Sequence, residues 1–242
     1  MNLPSTSNVQ PDQTIPLDRH PGPNLGVVAT ISVVLFLAGL SFVTVFVTNP
    51  SFPSPDAGIT RIVMYFQMRP EQVRISAFLS FGSLIVLGVF VAGLVSRFRF
   101  FGVRSAWVDI TLWAGFVLAV DQSLSHLCEW ALTWPSVAQN TPTTLAFYYL
   151  LYGAGGPGFS VPMGLFVGSI SIVGGRRKLL PKWIVWSGFV ISMIGLVSWL
   201  NFLLPTFSSL PATIPLTRFP SFIWLIVVGF VLPKTLAAPS RV

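Results

Sequence analysis

The chain has 242 residues, of which 53% are hydrophobic and only 9% are charged. Soluble domains carry roughly 25% charged residues, so this composition excludes an ordinary water-soluble surface. The formal net charge of +7 comes from short basic clusters between apolar blocks and not from one polar face, which argues against nucleic-acid binding.

Six apolar blocks follow one another along the chain. Each has about the 20 residues that a helix needs to cross some 30 Å of hydrocarbon. They predict an all-α fold, a polytopic transmembrane helix bundle of about six spans between residues 25 and 236. The blocks are Leu25–Thr48, Ile75–Ser96, Trp107–Leu132, Leu145–Val173, Trp183–Leu204 and Phe219–Leu236.

The two ends of the chain are expected to be cytoplasmic tails. Residues 1–24 are polar and rich in proline, so they have too little apolar surface to offset the entropy cost of ordering and are predicted to be disordered. Residues 237–242 form the second tail. Between the first two spans, residues 49–74 mix apolar and basic side chains, which suits either a short interfacial helix or an ordinary loop.

The distribution of basic residues predicts an N-in, C-in topology, because cytoplasmic loops retain an excess of Lys and Arg. The inner side would receive Arg19, Arg97, Arg99, Arg104, Arg176, Arg177, Lys178, Lys182, Lys234 and Arg241. The outer side would receive Arg61, Arg69, Arg74 and Arg218.

The fourth block contains a run that weakens a helix. Its members are Gly153, Gly155, Gly156, Pro157 and Gly158, and such residues remove backbone donors or helix propensity. The block is either one kinked span or two half-helices. Freed backbone groups at a break can bind a ligand, although close packing explains the glycines as well. Further along, Gly164 and Gly168 have the spacing of a small-residue packing face.

One face of the third span is polar over two turns. At about 100° per residue, its members share an arc of roughly 140°; they are Asp121, Gln122, Ser125, His126 and Glu129. Such a face cannot point at lipid without stranding donors and acceptors, so it should point into the bundle.

The predicted topology places three further polar residues at the same depth: Tyr148, Tyr152 and Asn201. We therefore expect an outward-facing polar pocket between spans three, four and five. The main alternative is a satisfied hydrogen-bond network that only fixes helix packing, and misplaced span boundaries are a third reading.

Three functions remain open for such a pocket. The favoured one is non-enzymatic, binding of a small ligand or assistance to a partner protein, with membrane lipid as the surroundings and a homo-oligomer left open. The others are a small proton-coupled transporter and an intramembrane enzyme acting on lipid. His126 is the only histidine in a predicted span, which excludes a two-histidine metal site, and neither a catalytic residue set nor a cofactor is identified.

Two segments carry a resemblance. Leu179-Leu180-Pro181-Lys182-Trp183 and the span after it, with Gly188 and Gly195, resemble a pattern of bacterial multi-pass integral membrane proteins of unknown function. Arg218-Phe219-Pro220 and the stretch to Pro233 look like the last span of the same group. The resemblance implies a location in the bacterial plasma membrane and assigns no activity.

Overall fold

The computed structural model describes residues 19–45, 51–203 and 212–235, and within these ranges it forms a helical bundle without a strand. The helices are α1 (Leu25–Thr44), α2 (Ile59–Met68), α3 (Pro70–Phe100), α4 (Ala106–Ala131), α5 (Pro135–Ala138), α6 (Thr141–Gly155), α7 (Pro157–Arg176), α8 (Lys182–Val197), extended by the 3₁₀ turn Ser198–Phe202, and α9 (Thr213–Val231).

Side-chain caps fix several helix starts. Asn24 accepts a hydrogen bond from the Gly26 amide at 3.2 Å and begins α1. Asn140 accepts one from the Thr143 amide at 3.1 Å and begins α6. Each cap satisfies an amide that has no partner within its own helix.

Five helical segments are long and apolar enough to cross a membrane. They are Leu25–Thr44, Pro70–Phe100, Thr141–Arg176, Lys182–Phe202 and Thr213–Val231. The protein therefore has the composition and helical build of a membrane protein. The helix of the third predicted block, α4, is not among the five, because its polar residues lower its mean hydropathy.

The last predicted block is displaced. The sequence predicts a start at Phe219, after the charge of Arg218, whereas α9 begins at Thr213 and contains both Arg218 and Pro220. A charge and a proline usually end an apolar helix. Here the Arg218 side chain finds partners inside the bundle, described below, so the helix extends past it.

In residues 49–74, the described part contains a short helix, one of the two predicted alternatives. Helix α2 buries Ile62, Tyr65 and Phe66 against α6 and the end of the bundle. Burial and the Glu129 carboxylate raise the pKa of the Tyr65 phenol.

Both described ends of the chain meet at one end of the bundle. The His20 amide donates to the Lys234 carbonyl at 2.8 Å, and Arg97, whose side chain is fully buried, donates to the carbonyls of Pro23 at 3.0 Å and Leu232 at 3.4 Å. Residues 19–24 are thus held against the bundle, whereas the sequence predicts a disordered tail over residues 1–24. Residues 1–18 and 237–242 lie outside the described ranges.

Helices α4 and α7 run through the middle of the bundle. Thr111, near the start of α4, donates a hydrogen bond to Ser169, in the second half of α7, at 2.8 Å. Further along α4, the Cβ atom of Asp121 lies 3.6 Å from the position of a Cβ at Gly158, at the start of α7, so the two helices are antiparallel. The small-residue face of α7 packs on α8 as predicted: a Cβ at Gly164 would lie 2.8 Å from the Ser192 carbonyl oxygen. Such contacts leave room only for glycine.

Candidate functional site

The polar face of α4 points into the bundle. Gln122, Ser125, His126 and Glu129 are all buried, because α4 packs against α3, α6 and α7. This burial brings together four of the five α4 residues that the sequence singles out.

His126 and Glu129 form a buried pair, one helical turn apart. Nδ1 of His126 lies 3.0 Å from Oε2 of Glu129, and their side chains are only 9% and 8% exposed. When Glu129 is ionised, the proton of this bond resides on Nδ1. The other ring nitrogen, Nε2, is buried and has no hydrogen-bond partner among the described residues.

The glycine-rich run separates two helices. Helix α6 ends at Gly155, Gly156 adopts φ −89° and ψ −96°, and α7 begins at Pro157. Of the two predicted alternatives, the described backbone is therefore that of two helical halves joined at one residue. Gly156 suits this joint, since a Cβ there would lie 2.7 Å from the Tyr152 carbonyl oxygen.

Side chains from other helices bind the carbonyls at the end of α6. Gln122 donates to the Ala154 carbonyl at 3.1 Å, and Arg218 donates to the carbonyl of Gly155. These carbonyls have no partner in their own helix, and Pro157 has no amide hydrogen to offer. Ser125 adds a bond to the Leu151 carbonyl at 3.0 Å. The break is therefore braced by α4 and α9.

Arg218 is the functional candidate that the sequence reasoning missed. Its guanidinium carbon lies 4.4 Å from the ring centre of Phe159 and 5.3 Å from that of Phe36, in cation–π geometry. Its Nε atom is buried and has no hydrogen-bond partner in the described ranges. The apolar residues Ile214 and Leu216 before it could have indicated that the span begins earlier.

These groups line one cavity of about 240 Å³ between α1, α3, α4, α6 and α9. The Phe36 ring, 6.2 Å from that of His126, contacts both His126 and Arg218. The polar lining residues are Thr44, Ser76, Ser80, Gln122, Ser125, His126, Glu129, Tyr152 and Arg218, with the backbone of Gly155 and Gly156. The rest of the lining is mainly apolar and includes Phe36, Leu40, Val43, Phe52, Leu151 and Ile214.

The remaining predicted site residues lie elsewhere. Asp121 is half-buried in a wider groove of about 610 Å³, together with Gly153, Pro157 and Gly158. No hydrogen bond or ion pair joins its carboxylate to another described residue. Asp121 therefore lies outside the cavity of His126 and Glu129, although its neighbour Gln122 lines that cavity. Successive side chains on a helix point about 100° apart, so the two residues face different sides of α4.

Tyr148 and Asn201 also lie outside the cavity. The Tyr148 hydroxyl donates to the Pro53 carbonyl at 2.8 Å, within an aromatic cluster beside α2. Asn201 donates to the Ser198 carbonyl at 2.7 Å and approaches the Thr213 hydroxyl at 3.3 Å. The cavity of His126 and Arg218 is formed by α1, α3, α4, α6 and α9, and α8 contributes nothing to it. The groove of Asp121 is the one that lies between the predicted spans three, four and five, because Leu196, Trp199 and Phe202 also line it.

Within residues 19–45, 51–203 and 212–235, no three His, Cys, Asp or Glu side chains are grouped as metal ligands would be. Comparison of the chain with protein-family models, with curated proteins and with solved structures gave no match. Function must therefore be inferred from the side chains that line the cavity.

Proposed function

We propose that the protein is a six-span protein of the bacterial plasma membrane, N-in and C-in, with α4 as the sixth crossing. The 26 residues of α4 extend about 39 Å at 1.5 Å per residue, enough to span the hydrocarbon core. The meeting of both described chain ends at one end of the bundle supports an even number of crossings. A bundle interior also shields the polar face of α4 from lipid.

The charge pattern supports the orientation. Arg218 belongs to α9 and no longer counts as an outer-loop residue, which strengthens the positive-inside bias. The bacterial plasma membrane is the location that the sequence resemblance implies. Single-cysteine labelling from each side of a sealed membrane, with the native Cys128 replaced by alanine, tests the topology: Ser54→Cys is expected to react from outside and Ser105→Cys from inside.

For the activity, we propose that the protein binds a small ligand in the cavity beside His126 and Arg218. Two buried nitrogens carry this proposal, Nε2 of His126 and Nε of Arg218, which come from different helices and lack a partner in the described ranges. A buried donor or acceptor without a partner costs about 1–3 kcal/mol. Folds rarely keep such groups unless water or a ligand satisfies them.

The size of the cavity limits the ligand. About 240 Å³ corresponds to roughly eight water molecules at about 30 Å³ each and is slightly below the roughly 300–1,000 Å³ of typical drug-sized sites. A small molecule fits, and so does the head of a larger amphiphile.

A matched pair of substitutions on α1 tests ligand binding. Leu40 lines the cavity, whereas Leu37 is 40% exposed on the outer surface of the bundle. Native mass spectrometry of protein extracted gently from membranes should show a retained adduct in the wild type and in Leu37→Trp. Leu40→Trp, which fills the cavity, should lose that adduct. Equal occupancy in Leu40→Trp and Leu37→Trp, or no adduct in the wild type, contradicts the proposal.

The His126–Glu129 pair favours an acid–base enzyme as a second candidate. A histidine whose Nδ1 is held by a carboxylate and whose Nε2 is free has the arrangement of a general base. Two serine hydroxyls from α3, those of Ser76 and Ser80, line the same cavity. Turnover of a lipid ester panel that His126→Gln abolishes would favour the enzyme, and absence of turnover in the wild type would remove it.

A further inference from the structure

Arg218 carries a charge with no counterion in the described part of the chain. The acidic residue that shares its cavity, Glu129, is bonded to His126. In the sequence, residues 46–50, which follow α1, and residues 204–211, which precede α9, contain no Asp or Glu. A guanidinium held in a largely apolar cavity without a counter-charge is unfavourable, so an anion brought by a ligand would be stabilised here.

The surroundings of the guanidinium fix its orientation and leave donors available. Nη2 is engaged by the Gly155 carbonyl, and the group lies over the rings of Phe36 and Phe159. Nε has no described partner. Arginine presents five N–H donors in a planar fork that matches an oxyanion with two oxygens.

The charges that line the cavity favour a singly charged anion over a multiply charged one. Arg218 is the one permanent cation among the described lining residues, and Glu129 would repel a multiply charged anion. The Ser76 and Ser80 hydroxyls line the same cavity and can donate to an oxyanion. Protonation of His126 would make Nε2 a further donor.

The position of Arg218 along α9 and the apolar walls of the cavity indicate that the ligand is an amphiphile. Arg218 lies five residues into α9, about 7.5 Å from its start at 1.5 Å per residue. In the proposed topology this is the headgroup side of the outer leaflet. Phe36, Leu40 and Ile214 give the cavity apolar walls, which suit the first part of an alkyl chain.

We infer that the cavity binds the singly charged oxyanion head of an amphiphile, a carboxylate or a phosphodiester, with the head on Arg218 and the chain against Phe36, Leu40 and Ile214. This inference rests on the proposed ligand-binding function and names its ligand class. A free fatty acid and an anionic phospholipid share this chemistry.

The experiment compares charged and neutral amphiphiles with the same chains. The probes are octanoate against 1-octanol, and dioctanoyl phosphatidylglycerol against dioctanoylglycerol, titrated against the purified full chain in a neutral detergent. We expect one charged probe, or both, to bind at least tenfold more tightly than its neutral counterpart. The charged probe that binds more tightly, octanoate or dioctanoyl phosphatidylglycerol, shows whether the oxyanion comes from a free fatty acid or from a phospholipid.

Substitutions at Arg218 test whether its guanidinium binds the oxyanion. Arg218→Gln should weaken binding of the charged probe at least tenfold and leave binding of the neutral probe unchanged. Arg218→Lys keeps the charge without the fork and should give a smaller loss. The matched control is Arg99→Gln, because Arg99 is exposed in a surface pair with Asp109; it should bind like the wild type.

Equal affinity of the wild type for the charged and the neutral probes overturns the inference. This comparison uses the wild type alone, so it holds even if the Arg218 variants fold poorly. Unchanged affinity in a folded Arg218→Gln also overturns it. In both cases, an adduct that Leu40→Trp removes would still support ligand binding in the cavity. The proposed function fails separately, when Leu40→Trp and Leu37→Trp retain the adduct equally or the wild type shows none.

Discussion

Arg218 and Gly155 lie 63 positions apart in the sequence, and the Arg218 guanidinium donates a hydrogen bond to the Gly155 carbonyl oxygen. One side chain thereby links α9 to the break between α6 and α7. The same guanidinium lines the cavity, and its Nε has no hydrogen-bond partner among the residues that the structure describes. The contact that holds the end of α6 and the proposed recognition of a ligand therefore share a residue, so occupancy of the cavity should change the stability of the break.

The cap at Ala154 can be tested through Gln122. Gln122→Leu removes the donor at 3.1 Å and leaves a buried carbonyl without a partner, which should lower the free energy of unfolding by about 1–3 kcal/mol. Gln139→Leu is the control, because Gln139 is exposed at the end of α5. Denaturant titration of both variants in detergent measures the difference. Equal stability of the two would mean that the Ala154 carbonyl does not need this cap.

The contact between α7 and α8 predicts opposite effects for two glycine substitutions. A Cβ at Gly195 would lie 2.6 Å from the Ser160 carbonyl oxygen, whereas a Cβ at Gly88 meets nothing within 4 Å. Gly195→Ala should cost about 1–3 kcal/mol through overpacking. Gly88→Ala should be neutral or stabilise by up to about 1 kcal/mol through helix propensity. Thermal unfolding would contradict this if Gly195→Ala were as stable as Gly88→Ala.

Arg97 is predicted to hold both described chain ends on the bundle. Arg97→Met removes the bonds to the Pro23 and Leu232 carbonyls, so the segment around His20 should open more often. The readout is hydrogen exchange of the His20 amide, which should become faster. Arg104→Met changes an exposed arginine and should leave the exchange rate unchanged. Equal protection in both variants would show that Arg97 is not needed for this attachment.

Titration of His20 should make the attachment of residues 19–24 to the bundle depend on pH. Burial and the neighbouring Arg97 charge lower the pKa of His20, and its Nδ1 accepts a hydrogen bond from the Gly22 amide at 3.0 Å. The unfolded segment therefore takes up a proton more readily than the folded one. Attachment should be strongest above the unfolded pKa of about 6.5 and weaken as the pH falls below it.

The measurement is amide exchange at Gly22, divided by the intrinsic rate at each pH. In the wild type this ratio should rise between pH 7 and pH 5. Nε2 of His20 lies 3.1 Å from the Ser96 hydroxyl oxygen. His20→Gln keeps a side-chain donor for this hydroxyl but cannot titrate, so its ratio should stay flat. An identical rise in His20→Gln would assign the pH effect to another group.

Much of the fold was predictable because helices that cross the hydrocarbon core of a membrane must be apolar and about 20 residues long. Apolar blocks of spanning length and the polar stripe from Gln122 to Glu129 are patterns within one helix, and burial of that stripe follows from the cost of polar groups in lipid. The same local reasoning found the break at Gly156, because glycine and proline act where they stand in the chain.

What the sequence alone determined is the class of protein, its helices and the inward face of α4. Only the tertiary structure decided which polar groups meet. Whether Arg218 belongs to a loop or to a cavity depends on Phe36, Phe159 and Gly155, which are distant in sequence. Asp121 and Asn201 are excluded from the cavity by helix rotation and by the path of α8. Such contacts depend on how whole helices pack, and local periodicity carries no record of that packing.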